Sequence, residues 1–195
     1  MTGIGGDLFA ILWSAEDQEL VGLDASGRAG SLLTPEALRV DGHEHMPGGG
    51  PASVTVPGAV SGWVALLDRY GTMSLAEVLA PATRIAEEGF PVTPVIARQW
   101  RDQEEKLAGD AGARATYLID GKRGPEAGEW FQNPDLARSF RMLAAEGGAV
   151  FYGGELGSTV VDGLAELGGN LTLEDLTNHS AEWVEPISIN FRDYT

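Results

Sequence analysis

The amino-acid sequence predicts an α+β fold that is mostly helical and contains a few strands. Two apolar runs near the start of the chain, residues 8–13 and 19–23, flank a polar turn, which is the pattern of a deeply covered antiparallel hairpin. From Ser61 onward, apolar residues recur at helical spacing in successive segments. At the end of the chain, apolar and polar residues alternate over residues 187–192, which predicts a final strand.

A segment rich in glycine and proline, residues 28–57, lies between the hairpin and the helices. Such a composition predicts a long loop, interrupted here by one short turn at residues 35–38. The first helix is expected to follow from Ser61 and to end at Gly71. Its expected apolar face comprises Trp63, Leu66, Leu67 and Tyr70.

The second helix is predicted to begin at Ser74, because Ser74 and Glu77 have the spacing of a capping box. Pro81 is expected to interrupt this helix, since a proline removes one backbone hydrogen bond. Gly89 and Pro91 provide the stop signal. The stripe expected to be buried comprises Leu75, Val78, Leu79, Ala82 and Ile85.

The middle of the chain is expected to contain a helix over residues 94–107 and then a loop over residues 109–129. A candidate short strand lies within that loop at residues 116–119, where β-branched and aromatic side chains occur. Asn133, followed directly by proline, is the pattern of an N-cap and a first helical position. The helix that it opens is expected to end at Gly147.

Two shorter helical segments complete the predicted order. One ends before Gly168, and its apolar face is regular enough to indicate a full helix. The other is a turn that starts at Thr172, with Glu174 and Asp175 close to its positive end. The apolar face of the first segment comprises Leu156, Val160, Leu164 and Leu167.

The composition indicates one globular domain with an acidic surface. Of the 195 residues, 43% are hydrophobic, which is enough for a sizeable core. The chain carries 29 acidic and 13 basic residues, and its net charge of −16 disfavours nucleic acid and anionic membranes as partners. The absence of cysteine excludes disulfides and thiol chemistry in this segment. No run of about 18 apolar residues occurs, so no membrane segment is expected within it.

Two short motifs suggest chemistry that their context does not support. The glycine-rich residues 3–6 have the look of a nucleotide-binding loop, but a strand-like run follows them where a helix should open. His43, Glu44 and His45 could ligate zinc, yet a loop rich in glycine and proline presets no tetrahedral geometry, and further ligands are not evident. We therefore expect neither a dinucleotide site nor a metal site.

Seven segments of the chain stand out in a fixed order, and the first three combine small residues with apolar neighbours, so that the backbone can turn sharply or approach another segment closely. Residues 2–9, 23–29 and 54–63 read TGIGGDLF, LDASGRA and VTVPGAVSGW, and these three are expected to form a binding wall. Four more segments follow in order: residues 66–74, 80–90, 151–154 and 171–176, reading LLDRYGTMS, APATRIAEEGF, FYGG and LTLEDL. The ordered set resembles the large subunit of the gamma-glutamyltranspeptidase family.

The resemblance implies part of an N-terminal nucleophile hydrolase fold, an αββα sandwich. In it, residues 1–195 are expected to form an internal segment of the large subunit, with no separate second domain. It also implies a gamma-glutamyltransferase or glutathione hydrolase, in which a threonine hydroxyl attacks a γ-glutamyl amide such as glutathione and water or an amino acid accepts the glutamyl group. The implied partner is the small subunit of the same precursor, which carries the threonine. No cofactor is implied.

No residue of the chain resembles that nucleophilic threonine. The nucleophile uses its own α-amino group as the base and must begin a polypeptide, whereas this chain begins with Met1. Thr195 follows residues 191–194, which resemble a family strand that lies well before the processing site. We therefore expect Met1 to be internal to a longer protein, Thr195 to be a break point, and the chain to contain no catalytic residue.

Arg28 is the main candidate for substrate binding. Many family members have an arginine just after the second strand, where its planar guanidinium pairs with the α-carboxylate of the γ-glutamyl group. Here ASG at residues 25–27 replaces the usual FRE triplet, and Ser26 stands where the usual arginine aligns, as in a divergent branch with a GSGRAP-like sequence. Arg28 and Ser26 are the predicted substrate-binding residues. The alternative is that Arg28 tethers its loop to a nearby acid.

Two other functions stay open at this point. The altered position of the arginine fits a related N-terminal nucleophile acylase that acts on amides without a free γ-glutamyl carboxylate, such as a cephalosporin-type side chain. The other alternative is an inactive truncated fragment. A free chain that lacks the remaining strands of the sandwich would expose apolar sheet surface and would tend to aggregate or oligomerise.

Overall fold

The computed structural model describes residues 3–192. Its strands are β1 (Leu8–Ser14), β2 (Glu19–Ala25), β3 (Phe90–Pro91), β4 (Trp130–Phe131) and β5 (Glu182–Val184). Its helices are α1 (Pro35–Val40), α2 (Ala59–Tyr70), α3 (Leu75–Glu88), α4 (Pro94–Arg101), α5 (Glu104–Ala108), α6 (Ala111–Tyr117), α7 (Pro134–Glu146), α8 (Glu155–Glu166) and α9 (Leu173–Thr177). Short 3-10 turns lie at Pro51–Ser53 and Gly147–Val150. Within residues 3–192, none of the helices has the length and the apolar character that a membrane span requires.

The chain divides into two compact units. Unit 1 consists of Met1–Leu75 and Glu146–Thr195, and unit 2 consists of Ala76–Ala145, which lies between the two halves of unit 1 in the sequence. Such units reflect local compactness and do not by themselves define domains. The expectation of one internal segment without a second domain stays a prediction, as do the expectations for Met1 and Thr195, which lie outside the described residues.

Unit 1 contains a three-stranded antiparallel sheet with the order β1-β2-β5. The predicted hairpin is confirmed, and its register pairs Ile11 with Gly22. Helix α2 packs on one face of this sheet, where Gly62 lies against Leu8 and Ala25. The opposite face is open, with Phe9 70% and Ile11 71% exposed. The expectation of a deeply covered hairpin is therefore wrong for this chain, because α2 covers one face only.

The helices of unit 1 begin and end close to where the sequence predicts. Helix α2 ends at Gly71, and the loop before it contains α1 at the position of the expected short turn. Its most buried residues are Ala59, Val60 and Gly62, because the small side chains at its start face the sheet, and the predicted face of larger side chains is half-buried. The other buried side chains of this unit include Val21, Leu23, Phe151, Leu156 and Leu176.

The expected C-terminal strand is wrong. Residues 185–190 form no strand, and Ile187 is 100% exposed. The strand that joins the sheet lies upstream at β5, where Trp183 pairs with Leu23 of β2. An alternating pattern becomes a strand only where a neighbouring strand and a covering layer meet it. Among residues 3–192, no element covers this part of the chain.

Helix α3 of unit 2 passes through Pro81 without a break, so the predicted interruption is wrong. Proline removes one backbone hydrogen bond but need not end a helix whose other contacts are favourable. Burial of Leu79 and Ala86, on either side of the proline, supplies such contacts. Gly89 ends the helix in a left-handed conformation with φ of +87°, which confirms the predicted stop.

The middle of unit 2 differs from the prediction in two ways. The expected helix over residues 94–107 is divided into α4 and α5. The candidate strand at residues 116–119 is wrong, because residues 111–117 form α6. Asp110 caps this helix by accepting a hydrogen bond from the backbone nitrogen of Ala113 at 2.6 Å. Three alanines and this cap outweigh the β propensity of the residues at its end.

Two-residue strands and an aromatic cluster also hold unit 2 together. Strands β3 and β4 pair Phe90 with Phe131. Each of these strands has only two residues, which is too few for a strand pattern to be visible in the sequence. The ring centre of Phe131 lies 4.6 Å from that of Trp100. The ring of Phe131 also stacks on that of Tyr117, with 6.4 Å between the ring centres. Asn133 caps α7 as predicted, since its Oδ1 accepts a hydrogen bond from the backbone nitrogen of Leu136 at 3.0 Å.

The last helical segments of the chain confirm their predictions. Helix α7 ends where Gly147 adopts a φ of +71°, and α8 ends shortly before Gly168, whose φ is +82°. Helix α9 begins with a capping box in which Thr172 and Asp175 each bond to the other's backbone nitrogen. These boundaries depend on contacts within four residues of the helix end, which is why the sequence shows them.

Arg123 and Glu129 close the loop between α6 and β4. Nη1 of Arg123 lies 2.7 Å from Oε2 of Glu129, and Nη2 lies 2.9 Å from Oε1, so the contact is bidentate. The backbone nitrogen of Glu126 donates a further hydrogen bond to Glu129. The hydrogen bonds from Arg123 and then from Glu126 lower the pKa of Glu129 to about 2.

Replacement of Glu129 by glutamine is expected to reduce stability in a pH-dependent way. A carboxylate whose pKa is lower in the folded state stabilises the fold above its unfolded pKa, here 4.5, and loses this effect as the pH falls toward 2. We expect the thermal midpoint of Glu129→Gln to lie roughly 2–4 °C below that of wild type at pH 7. The gap should narrow between pH 4.5 and pH 3. Calorimetry with Glu105→Gln as a control checks this, and a constant gap would contradict it.

Candidate functional site

The glycine-rich segments of unit 1 meet at the end of β2. The backbone nitrogen of Gly27 donates to Oδ1 of Asp7 at 2.9 Å, and that of Val56 donates to the carbonyl oxygen of Arg28 at 2.9 Å. A Cβ atom at Gly27 would overlap the carbonyl oxygen of Val56, so only glycine permits this approach. The three segments expected to form a wall therefore lie side by side.

Tyr152 holds the turn that begins α2. Its hydroxyl donates to the carbonyl oxygen of Pro57 at 2.7 Å and accepts from the backbone nitrogen of Ser61 at 3.0 Å. Burial raises the pKa of Tyr152 to about 12, so the hydroxyl stays protonated and able to donate. The sequence gives no sign of this role, because 95 residues separate Tyr152 from Pro57.

Replacement of Tyr152 by phenylalanine should destabilise the protein by about 2 kcal/mol, because it leaves a carbonyl oxygen and an amide nitrogen without their partner. Urea unfolding measures this loss. Tyr117→Phe is the matched control, since Tyr117 is partly exposed and belongs to unit 2. Equal losses in the two variants would show that the hydroxyl of Tyr152 does not hold the turn.

A polar cavity of about 240 Å³ opens beside this turn. It lies within unit 1, between the loop after β2 and the segment that joins α9 to β5. Most of its lining is polar, and it includes one arginine, two acidic residues and one histidine. The lining residues are Arg28, Ala29, Ser31, Val56, Asp175, Asn178, His179 and Glu182.

The structure places the two predicted binding residues differently. The side chain of Arg28 is 88% exposed at the cavity, and its Nη2 lies 3.5 Å from Oε1 of Glu182. Ser26 does not line the cavity, and its backbone nitrogen donates to Oδ1 of Asp24 at 2.8 Å. This hydrogen bond lowers the pKa of Asp24. The substrate-binding roles of Arg28 and Ser26 stay predictions. If Arg28 instead tethers its loop to an acidic residue, that residue is Glu182.

His179 lines the cavity and was not singled out from the sequence. Its Nε2 is buried and finds no hydrogen-bond partner among the described residues, and its ring centre lies 5.4 Å from that of Tyr152. Burial lowers the pKa of His179, although the charge of Asp7 opposes the shift. The imidazole is therefore neutral at pH 7, and it adds no positive charge to the cavity.

Asp175 anchors the loop after β2 to α9. Its Oδ1 accepts from the backbone nitrogen of Ser31 at 3.0 Å, and its Oδ2 accepts from that of Thr172 at 2.8 Å. Burial raises the pKa of Asp175, but the hydrogen bonds from Thr172 and Ser31 outweigh burial and bring the pKa below its ordinary value. This carboxylate is used for positioning, which leaves Arg28 and Glu182 as the charged groups that face the cavity opening.

The arrangement can bind a small charged group. A guanidinium offers two parallel donors to a carboxylate, and neither side chain of the Arg28–Glu182 pair is buried. Among residues 3–192, no group of three or more acidic, histidine or cysteine side chains could hold a metal ion, and His43, Glu44 and His45 form no such group.

The sequence profile of gamma-glutamyltranspeptidase matches residues 1–195. The chain belongs to the gamma-glutamyltranspeptidase family. It is 36% identical to a glutathione hydrolase-like YwrD proenzyme of Bacillus subtilis, over 100% of this chain and 37% of that protein. It is also 39% identical to an oxamate amidohydrolase proenzyme of Klebsiella pneumoniae, again over 100% of this chain and 37% of that protein. The chain thus spans little more than a third of these family members.

Solved structures of related enzymes have the same fold as this chain. Cephalosporin acylase from Bacillus halodurans superposes with a TM-score of 0.91 at 41% identity, over 97% of this chain and 36% of that chain. The gamma-glutamyltranspeptidase of Helicobacter pylori gives 0.87 at 26% identity, over 98% of this chain and 55% of that chain. The predicted fold class is confirmed: part of an N-terminal nucleophile hydrolase sandwich, here mostly helical with a few strands.

Proposed function

We propose that the chain is part of the large subunit of an enzyme that cleaves γ-glutamyl amides and transfers the glutamyl group to water or an amino acid. Family membership supports the reaction class, and the fact that two relatives are proenzymes supports a longer precursor. The observation that carries the substrate class is the exposed guanidinium of Arg28 at the mouth of a polar cavity. An α-carboxylate is the ligand that this geometry suits.

In the proposed mechanism this chain binds the substrate, and the small subunit supplies the nucleophile. The threonine hydroxyl attacks the γ-carbonyl carbon while its own α-amino group takes the proton, and backbone amides stabilise the oxyanion. The amide C–N bond then breaks, an ester forms, and the amine leaves with a proton. Water or an amino acid attacks the ester and restores the hydroxyl. Arg28 would hold the acyl group in place through both steps.

The open face of the sheet supports the small subunit as the partner. Phe9, Ile11 and Trp13 of β1 are exposed on that face, and an open groove of about 530 Å³ runs over it. Exposed apolar surface of this kind is a feature of interfaces in soluble proteins. In the proposed assembly, the second sheet of the sandwich, which contains strands of the small subunit, covers this face.

A related acylase is the second candidate function. The 41% identity to cephalosporin acylase from Bacillus halodurans favours it, and so does 41% identity to the Acylase ACY 1 proenzyme of Pseudomonas sp. over 74% of this chain. The two candidates differ in the acyl group: a glutaryl group keeps the carboxylate at the corresponding position but lacks the α-ammonium that a γ-glutamyl group carries.

The decisive experiment uses the full-length protein that contains this chain. Intact mass spectrometry under denaturing conditions should reveal a second polypeptide that begins with threonine, and this preparation should release p-nitroaniline from γ-glutamyl-p-nitroanilide. Turnover of glutaryl-p-nitroanilide alone would favour the acylase. A single unprocessed species without activity toward either donor would favour the inactive fragment and overturn the proposal.

A further inference from the structure

The acidic excess of the chain is concentrated in unit 1. Most of the 29 acidic residues belong to this unit, whereas only a minority of the 13 basic residues do. The basic residues of unit 1 are Arg28, Arg39, Arg69 and Arg192. Unit 2 contains acidic and basic residues in nearly equal numbers. The negative field of the chain therefore originates mainly from the unit that contains the polar cavity.

Carboxylates border this cavity on more than one side. Asp175 and Glu182 line it, and Asp24 lies directly opposite Glu182 in the pairing of β2 with β5. The hydrogen bond from the backbone nitrogen of Ser26 lowers the pKa of Asp24, so this carboxyl group is charged at neutral pH. Arg28 lies 3.5 Å from Glu182 and balances one of these charges. The surroundings of the cavity therefore keep a net negative charge.

The ring of His179 senses the same charges from inside the cavity. Burial lowers the pKa of His179, whereas the charges of Asp7 and Asp24 act to raise it. The charge of Glu182 also acts to raise this pKa, and that of Arg28 acts to lower it. Three carboxylates and one guanidinium thus lie close enough to act on one ring, and the neutral imidazole adds no positive charge of its own.

A charge on the leaving amine of the substrate falls within this field. In the proposed function the γ-glutamyl group binds at the cavity. This group is only a few covalent bonds long, so a substituent on the leaving amine stays within about 10 Å of the carboxylates. Charges at this distance interact strongly when the Debye length is about 30 Å, at 0.01 M salt, and hardly at all when it is about 3 Å, at 1 M. A negative charge on the leaving amine is therefore repelled at low ionic strength.

We propose that the acidic surroundings of the cavity select acyl donors by the charge of the leaving amine, so that γ-glutamyl amides of neutral or cationic amines are preferred over those of amines that carry a carboxylate. Glutathione belongs to the disfavoured class, since its leaving amine, cysteinylglycine, ends in a carboxylate. This inference rests on the proposed function and concerns the leaving group, which contacts with the acyl group do not determine. The selection acts through long-range charge, so added salt should remove it.

The test compares two chromogenic donors in the processed full-length enzyme, γ-glutamyl-p-nitroanilide and γ-glutamyl-3-carboxy-4-nitroanilide. Both carry the same acyl group, so the ratio of their kcat/KM values cancels every contribution from acyl binding. The added carboxylate also changes size and reactivity, but these properties do not depend on ionic strength. We expect the preference for the uncharged leaving amine to fall about 5-fold when salt is raised from about 0.01 M to about 1 M.

Two variants locate the source of the field. Glu182→Gln removes a carboxylate at the cavity, and at low salt it should reduce the preference for the uncharged leaving amine by about 2-fold. Glu19→Gln is the matched control, because Glu19 is an exposed residue at the other end of β2, about 20 Å along the strand. It should change the preference by less than about 1.3-fold. Thermal unfolding shows whether each variant is folded, and the salt series on the wild type needs neither of them.

The outcomes separate this inference from the proposed function. A preference that stays constant or grows as salt is added would overturn the inference while the proposed function stands. Equal effects of Glu182→Gln and Glu19→Gln would also overturn it, since the field would then not originate at the cavity. A wild-type enzyme that cleaves neither γ-glutamyl donor would overturn the proposed function and this inference together. A preference that salt removes and that Glu182→Gln reduces selectively supports both.

Discussion

Replacement of Arg28 by alanine is expected to lower kcat/KM for a γ-glutamyl amide by about 100-fold in the processed full-length enzyme, because charge-assisted hydrogen bonds to the α-carboxylate are lost. Most of the loss should appear in KM, since the carboxylate is bound before and during the reaction. Arg28→Lys should recover only part of the rate, because an ammonium keeps the charge but lacks the planar pair of donors.

Steady-state kinetics on both variants measures this effect, and Arg39→Ala is the matched control. Arg39 is an exposed arginine of unit 1 that also lies 3.5 Å from an acidic partner, Glu36, but it does not line the cavity. If Arg28→Ala behaves like Arg39→Ala, then Arg28 is a structural tether to Glu182, and the substrate-binding role is wrong.

Replacement of Gly27 by alanine is expected to destabilise the protein by roughly 3 kcal/mol, the upper end for a side chain forced into a filled space. The new Cβ atom would overlap the carbonyl oxygen of Val56, which is backbone and cannot rotate away. The segments must separate, so the hydrogen bond from Val56 to Arg28 should weaken as well. Urea unfolding of the full-length protein measures the stability.

Gly48→Ala provides the comparison for Gly27→Ala. No atom lies within 4 Å of a Cβ placed at Gly48, so this variant should stay within about 0.5 kcal/mol of wild type. Gly27→Ala should also lose more activity than Gly48→Ala, because the shift at Gly27 moves the loop that contains Arg28. Similar stability of the two variants would mean that the backbone at the end of β2 can shift at little energetic cost. Gly27 would then not be required for the close approach to Val56.

Local signals in the sequence predicted much of the fold. Asn133 at the start of α7 and Gly71 at the end of α2 act through hydrogen bonds to residues within one helical turn, so their effect is visible in a short window. The hairpin of β1 and β2 is equally local, since four residues join the strands. Arg28 was found through resemblance to a family, and no periodicity in its surroundings indicates it.

Other features depend on residues that lie far apart in the sequence. Residues 116 and 117 have strand propensity, but a cap at Asp110 and stacking of Tyr117 on Phe131 place them at the end of a helix. The alternating pattern over residues 187–192 would form a strand only beside a neighbouring strand and under a covering layer. No local pattern in the sequence reveals whether these are present. His179 and Glu182 join the site only because β5 pairs with β2, which the sequence does not indicate.

The pairing of β5 with β2 has a consequence for the order of folding during synthesis. Arg28 and Glu182 are 154 residues apart, and the whole of unit 2 is translated between them. The hairpin can form as soon as its residues have left the ribosome, whereas the cavity cannot form until β5 has been synthesised. A ligand that binds in this cavity would therefore report that the two halves of unit 1, which are distant in the sequence, have come together.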